Sequence, residues 1–131
     1  MIGLDTNVLV RFLVRDDARQ FEGARRLIRR EADRGEPVLI SLLVLLETEW
    51  VLRSRYTLSK EEIADTVSAL LDAAEVRFEN ESAVEQARYL WRDSAADFAD
   101  CLVGAHHRSL GCKATASFDA RAARRPYFVS P

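Results

Sequence analysis

Five acidic residues of this chain stand where carboxylates could do chemistry together. Asp5 follows a short apolar run, Glu47 sits inside a long apolar segment, Asp97 and Asp100 precede another, and Asp119 follows the stretch Lys113 to Ser117. Each has an ordinary structural reading beside the chemical one. Asp5, Asp97 and Asp119 suit helix N-caps, and capping explains Asp97 well. Glu47 has Leu43, Val44, Trp50 and Val51 three and four positions away, so it is expected to project from an apolar face. A buried carboxylate with no partner is costly, which asks for a cation. Glu49 has similar neighbours in Leu45, Leu46 and Leu52, and periodicity alone does not choose between the two. Carboxylates gathered at one place repel and raise one another's pKa values. A hard divalent cation removes that penalty, and oxygen donors without Cys or His suit Mg²⁺ or Mn²⁺.

Such a set needs elements that bring it to one end of a fold. Ile2-Gly3-Leu4 is a short apolar run, with Asp5-Thr6 as a cap and a helix predicted to Val14. Asp16-Asp17 breaks the pattern and starts a second helix, Ala18 to Arg34, closed by Gly35. Pro37 to Ile40 reads as a buried strand, Ser41 as the next cap, and Leu42 to Arg55 as a largely buried helix. Glu47 falls about 9 Å along that helix from Ser41, with its Cβ tilted back toward the strand end. Ser59-Lys60-Glu61-Glu62 is a capping box for a helix to about Ala74. Val76 to Phe78 is a strand candidate, and Asn80 or Ser82 caps a helix ending near Asp93. Asp97 opens a helix to about Leu110, terminated by Gly111. Lys113 to Ser117 is a weak strand, and Asp119 caps a short helix containing Arg121 to Arg124. Tyr127 to Val129 is a last edge strand. Short apolar strands alternating with helices predict a three-layer α/β/α fold around a central, mostly parallel sheet of four to five strands. In such folds ligands sit beyond the carboxyl ends of the strands, where Asp5 and Asp119 lie.

At 131 residues, with 48% hydrophobic composition, the chain is expected to be a single domain, 1–131, with a packed core. Nineteen basic residues against 21 acidic give a net charge of −2, which argues against holding nucleic acid by bulk charge. Seventeen of the basic residues are Arg. No apolar run is long enough to span a bilayer, and no basic leader precedes an apolar core at the N-terminus, so a cytoplasmic location without a membrane partner is expected. Cys101 and Cys112 form no CxxC pair and read as small buried thiols of a reduced compartment.

The sequence resembles the PIN-domain ribonucleases, and among them the VapC-type toxins of type II toxin–antitoxin pairs. Residues 1 to 11, Met-Ile-Gly-Leu-Asp-Thr-Asn-Val-Leu-Val-Arg, are similar to the family's opening motif. Glu47 to Tyr56 resembles the second motif, in which the first Glu is the metal-site acid. Ala96 to Val103 resembles the third, whose second Asp is the site residue, and Gly111 to Arg124 the fourth. Ser117 stands where the family usually has Thr. The resemblance implies that Asp5, Glu47, Asp100 and Asp119 are catalytic and bind one or two Mg²⁺ or Mn²⁺ ions for hydrolysis of RNA phosphodiester bonds. It favours Glu47 over Glu49. Asn7 and Ser117 are assigned hydrogen bonds that orient the carboxylates, and Asp97 is an accessory ligand or only a cap. Arg11, Arg121 and Arg124 are candidates for positioning RNA phosphates, as are Arg15 and Arg125, although a single surface Arg is more often solvated charge. The implied partners are RNA, a cognate VapB-type antitoxin and a second copy in a homodimer. With four acids set aside, 17 remain against 19 basic residues, so the net charge reflects acids concentrated where a cation is needed.

Other features are expected to be structural. His106 and His107 are adjacent on a helix, point about 100° apart, and do not converge on one ion. Trp50 and Trp91 read as core. Arg25, Arg26, Arg29 and Arg30 read as solvated charge paired with Glu22 and Glu31. A rival reading is a receiver-like Mg²⁺-binding module that uses Asp16-Asp17 as its acidic pair and Glu79 at a strand end. Another is a degenerate PIN-like domain that binds RNA without cutting it.

Overall fold

Small polar and acidic residues open every helix in the computed structural model, which describes residues 1–131. The chain divides into two compact units, Met1–Glu79 and Asn80–Pro131. In the first unit Asp5 caps α1 (Thr6–Val14), Asp17 caps α2 (Ala18–Asp33), and Ser41 caps α3 (Leu42–Ser54). The Ser59/Glu62 capping box opens α4 (Lys60–Asp72) with both reciprocal hydrogen bonds formed. After α2, Gly35 takes the positive φ of 74° that only glycine adopts without strain, and the chain turns into β1 (Val38–Ile40). β1 pairs in parallel with β2 (Val76–Phe78), Val38 opposite Val76 and Ile40 opposite Phe78. Leu39 also bridges Gly3: Leu4 N–H donates to the Leu39 carbonyl and Leu39 N–H to the Ile2 carbonyl, each at 2.9 Å. This bridge places Asp5 directly after the end of an extended segment. Val38 and Ile40 are fully buried, together with Leu9, Leu45 and Ile63 from the surrounding helices.

The second unit pairs α5 (Glu81–Arg92) with α6 (Phe98–Ser109). Trp91 meets Phe98 edge to face, ring centres 5.1 Å apart, at the start of that contact. β3 (Thr115–Ala116) pairs in parallel with β4 (Phe128–Val129), and α7 (Ala120–Ala123) connects them. Gly104 lets α6 approach β4: a Cβ there would lie 2.7 Å from Cε2 of Phe128.

All strand pairings are parallel, as the alternating pattern predicts. The expected sheet of four to five strands is not what the hydrogen bonds form. They make two two-stranded sheets and one isolated bridge. The physical reason is strand length: β3 and β4 are two residues each, β1 and β2 three, and such segments support a few backbone bonds apiece. No helix is long and apolar enough to cross a membrane.

Candidate metal centre

In the first unit the two candidate acids line one concavity of about 360 Å³, together with Asn7, Trp50, Arg55 and Tyr56. Asp5 is held by the start of α1, where its Oδ1 accepts from Thr6 N–H at 2.8 Å. Glu47 is exposed, on the solvent side of α3. The apolar face expected around it is open: Leu43 is 78% exposed and Trp50 50% exposed. Glu49 lies on the opposite side, 5% exposed, with Oε2 2.8 Å from Arg53 Nε one turn later. One of the two glutamates is therefore spent on an internal ion pair and the other faces the concavity beside Asp5.

In the second unit Asp100 sits in the first turn of α6, half-buried, and Asp119 caps α7. Burial, and then the charges of Asp97 and Asp119, push Asp100 above its ordinary value of 3.8, while Arg121 pulls it down. Burial is the largest cause of that shift, and the two neighbouring carboxylates add to it. Asp97 occupies the N-cap position but its side chain makes no capping hydrogen bond. The capping account expected for it is thus not realised, and its carboxylate stands free beside Asp100.

Among the supporting residues, Asn7 lines the concavity of Asp5 without hydrogen-bonding a carboxylate. Ser117 Oγ accepts from the backbone N–H of Asp119 at 3.0 Å, so it holds the main chain of Asp119 rather than its carboxylate. Arg11 is not a free cation. Its guanidinium donates to Gln20, to Asp16 and to Tyr56 Oη, and Tyr56 in turn donates to Asp16. Arg121 and Arg124 are exposed on and after α7. Arg15 covers the Phe21 ring, 4.6 Å from its centre, and Arg125 Nε is buried without a hydrogen-bond partner. The histidines diverge as expected: His106 Nδ1 meets Asn80 and His107 Nδ1 meets Thr115 Oγ1. Cys101 is buried and Cys112 exposed, and neither forms a disulfide; the exposure corrects the second of the two thiols. Trp91 is core, whereas Trp50 is not, and the sequence signal that could have separated them is position. Trp50 follows Glu47 by three residues and shares its helix face.

Across the chain no three Asp, Glu, His or Cys side chains converge to metal-binding distance. The fit to a hard divalent cation rests on donor chemistry: the candidate side chains offer carboxylate oxygens, and the pKa of Asp100 is raised by burial and then by the charges of Asp97 and Asp119. Parallel strands joined through helices, with acids at helix starts in each unit, define an α/β protein. The chain matches the PIN domain family over residues 2–127 and belongs to it. It is similar to a protein named VapC ribonuclease from Aquifex aeolicus (strain VF5), with 25% identity over 118 residues covering 90% of this chain and 87% of that one.

Proposed function

We propose that the protein is a Mg²⁺- or Mn²⁺-dependent ribonuclease, the toxin of a VapBC-type pair, built as one PIN domain in three α/β/α layers around a central sheet. The observation that carries the reading is the match to the PIN family over residues 2–127; a half-buried Asp100, its pKa raised by burial first and then by the charges of Asp97 and Asp119, supports it. Asp5, Glu47, Asp100 and Asp119 are the residues proposed to hold the ion, with Asp97 as an accessory. When bound, a divalent ion supplies the Lewis acidity that activates water near neutral pH and offsets charge on the leaving oxygen. The chain's own contribution is placement. Asp5 and Asp119 are held at helix starts by backbone N–H groups, and Ser117 fixes the main chain of Asp119. Arg121 and Arg124, exposed on and after α7, are the residues proposed to meet phosphate oxygens, while Arg11 braces Tyr56 and Asp16. A VapB-type antitoxin partner belongs to the same proposal, supported by the VapC-named relative; a homodimeric state and a cytoplasmic location are proposed with it.

The receiver-like alternative loses its residues to structure: Asp16 holds Arg11, Asp17 caps α2, and Glu79 accepts from Leu42 N–H at the start of α3. The test is cleavage of single-stranded RNA by purified full-length protein freed of antitoxin. Cleavage with Mg²⁺ or Mn²⁺, arrest by chelator, and loss in folded Asp5→Asn and Asp100→Asn support the reading. Wild-type rates in both variants would remove these acids from the site, and RNA binding without cleavage would make the domain a non-cutting one.

A further inference from the structure

We propose that Trp50 is a substrate-positioning aromatic, stacking on an RNA base beside the scissile phosphate while Arg55 meets a neighbouring phosphate. The inference rests on the ribonuclease reading and deepens it. A tryptophan is among the most costly side chains to leave in water, because its burial returns more apolar area than almost any other. Here it is half-exposed, on the same face of α3 as Glu47, and lines the concavity that holds Asp5 and Glu47. That concavity, about 360 Å³, is within the range of roughly 300–1,000 Å³ usual for small-ligand sites, so a nucleotide is a suitable occupant.

The charges around the indole favour RNA over an apolar partner. Three basic or aromatic side chains share the wall with it: Arg11, Tyr56 and Arg55. Arg11 and Tyr56 are tied to each other and to Asp16. Arg55 follows the last turn of α3, is exposed, and makes no salt bridge. An exposed π-face with a free guanidinium beside it is the pairing by which single strands are held: bases stack and phosphates meet the cation. The expected phosphate contact in this unit therefore moves from Arg11 to Arg55, and the expected core role of Trp50 becomes a binding role.

The experiment separates binding from cleavage. In steady-state cleavage of single-stranded RNA, Trp50→Ala should raise KM about tenfold and change kcat by less than about twofold, the stacking loss expected for one base. Trp50→Phe keeps a π-face and should recover KM to within about threefold of wild type. The cleavage-deficient Asp100→Asn protein, titrated with oligoadenylate in Mg²⁺, should show quenched tryptophan emission. The same titration in the Asp100→Asn, Trp50→Phe background should show none, because the remaining Trp91 is buried. Unchanged KM in Trp50→Ala, or saturation by oligoadenylate without quenching of Trp50, overturns the inference alone. Self-association lost in Trp50→Ala by sedimentation velocity, with KM unchanged, overturns it by giving the indole to a second copy. A wild-type protein that cleaves no RNA with either metal overturns the ribonuclease reading, and this inference with it.

Discussion

Glu47 and Glu49 are two residues apart on α3 and should respond to the same substitution in opposite ways. Glu47 is exposed and makes no ion pair, so Glu47→Gln should leave stability within about 0.5 kcal/mol of wild type, the usual range for a surface change. Glu47 lines the concavity of Asp5, and loss of a proposed metal ligand should cost activity heavily. Changes to residues that merely support ligands cost about 10- to 100-fold, so Glu47→Gln should fall at least about 100-fold. Glu49 is the reverse case. Its Oε2 is 2.8 Å from Arg53 Nε, which in water corresponds to about 1.5 kcal/mol by Coulomb's law and more at lower dielectric. Arg53 is 56% exposed, so solvent screens the pair toward the measured range of about 0.3–1 kcal/mol. Glutamine keeps an oxygen for the Arg53 hydrogen bond and relieves the burial of a charge. Glu49→Gln should therefore lose at most about 1 kcal/mol, a fall in Tm of about 3–5 °C for a chain of this size. It should retain cleavage within a few-fold. Thermal denaturation and initial-rate cleavage of the two purified variants give the four numbers. Cleavage lost in Glu49→Gln and kept in Glu47→Gln would show that the face of α3 is misassigned. Equal activity losses in both would refute the division of one glutamate to structure and one to chemistry.

Asp100 carries a pH dependence of definite sign. A carboxylate whose folded pKa lies above its unfolded value binds more protons when folded, so metal-free stability should fall as pH rises from about 3.8 through the raised value. Asp100→Asn should flatten that slope and be more stable than wild type near neutral pH in chelator, while losing cleavage; denaturant titration at several pH values checks it, and an unchanged slope refutes it. Thr48 Oγ1 is buried with no hydrogen-bond partner, so Thr48→Val, equal in shape, should raise stability by up to about 1 kcal/mol and leave cleavage intact. Gly104→Ala places a Cβ 2.7 Å from Phe128 Cε2, where overpacking of about 1–3 kcal/mol exceeds the ~1 kcal/mol gained in helix propensity. A net loss of about 1 kcal/mol is expected from calorimetry, and a stabilised variant would mean that the Phe128 ring swings clear.

The helices were legible because their signals are local. Ser59-Lys60-Glu61-Glu62 carries its whole capping box within four residues, and Gly35 and Gly111 mark chain reversals at positive φ. The division of the pairing into two short sheets was not legible, because strand pairing depends on partners far apart in sequence and these strands are two or three residues long. The same limit applies to exposure. A helix as apolar as α3 reads as buried all round, yet Leu43 and Trp50 face water on one side of it. Arg11 shows the limit for charge: its partners Gln20, Asp16 and Tyr56 lie 9, 5 and 45 residues away, and no local pattern announces that they converge.

The acids expose a weakness in setting capping against chemistry. A carboxylate has two oxygens and about four acceptor sites, and a helix cap needs one oxygen. Asp5 accepts from Thr6 N–H through Oδ1. Asp119 accepts from Arg121 and Ala122 N–H, again through Oδ1 alone. In both residues Oδ2 takes no hydrogen bond from the protein. The cap fixes the direction of the side chain and leaves a second oxygen available to an incoming cation. Asp97, which occupies a cap position without using it, keeps both oxygens free but lacks that restraint. Capping therefore does not compete with the ligand duty proposed for Asp5 and Asp119: it is a means of orientation, supplied by backbone N–H groups rather than by the expected Asn7 side chain. On this argument, exchange of Asp5 or Asp119 for Asn keeps the cap oxygen and removes the charge. That is why folding should survive those substitutions when cleavage does not.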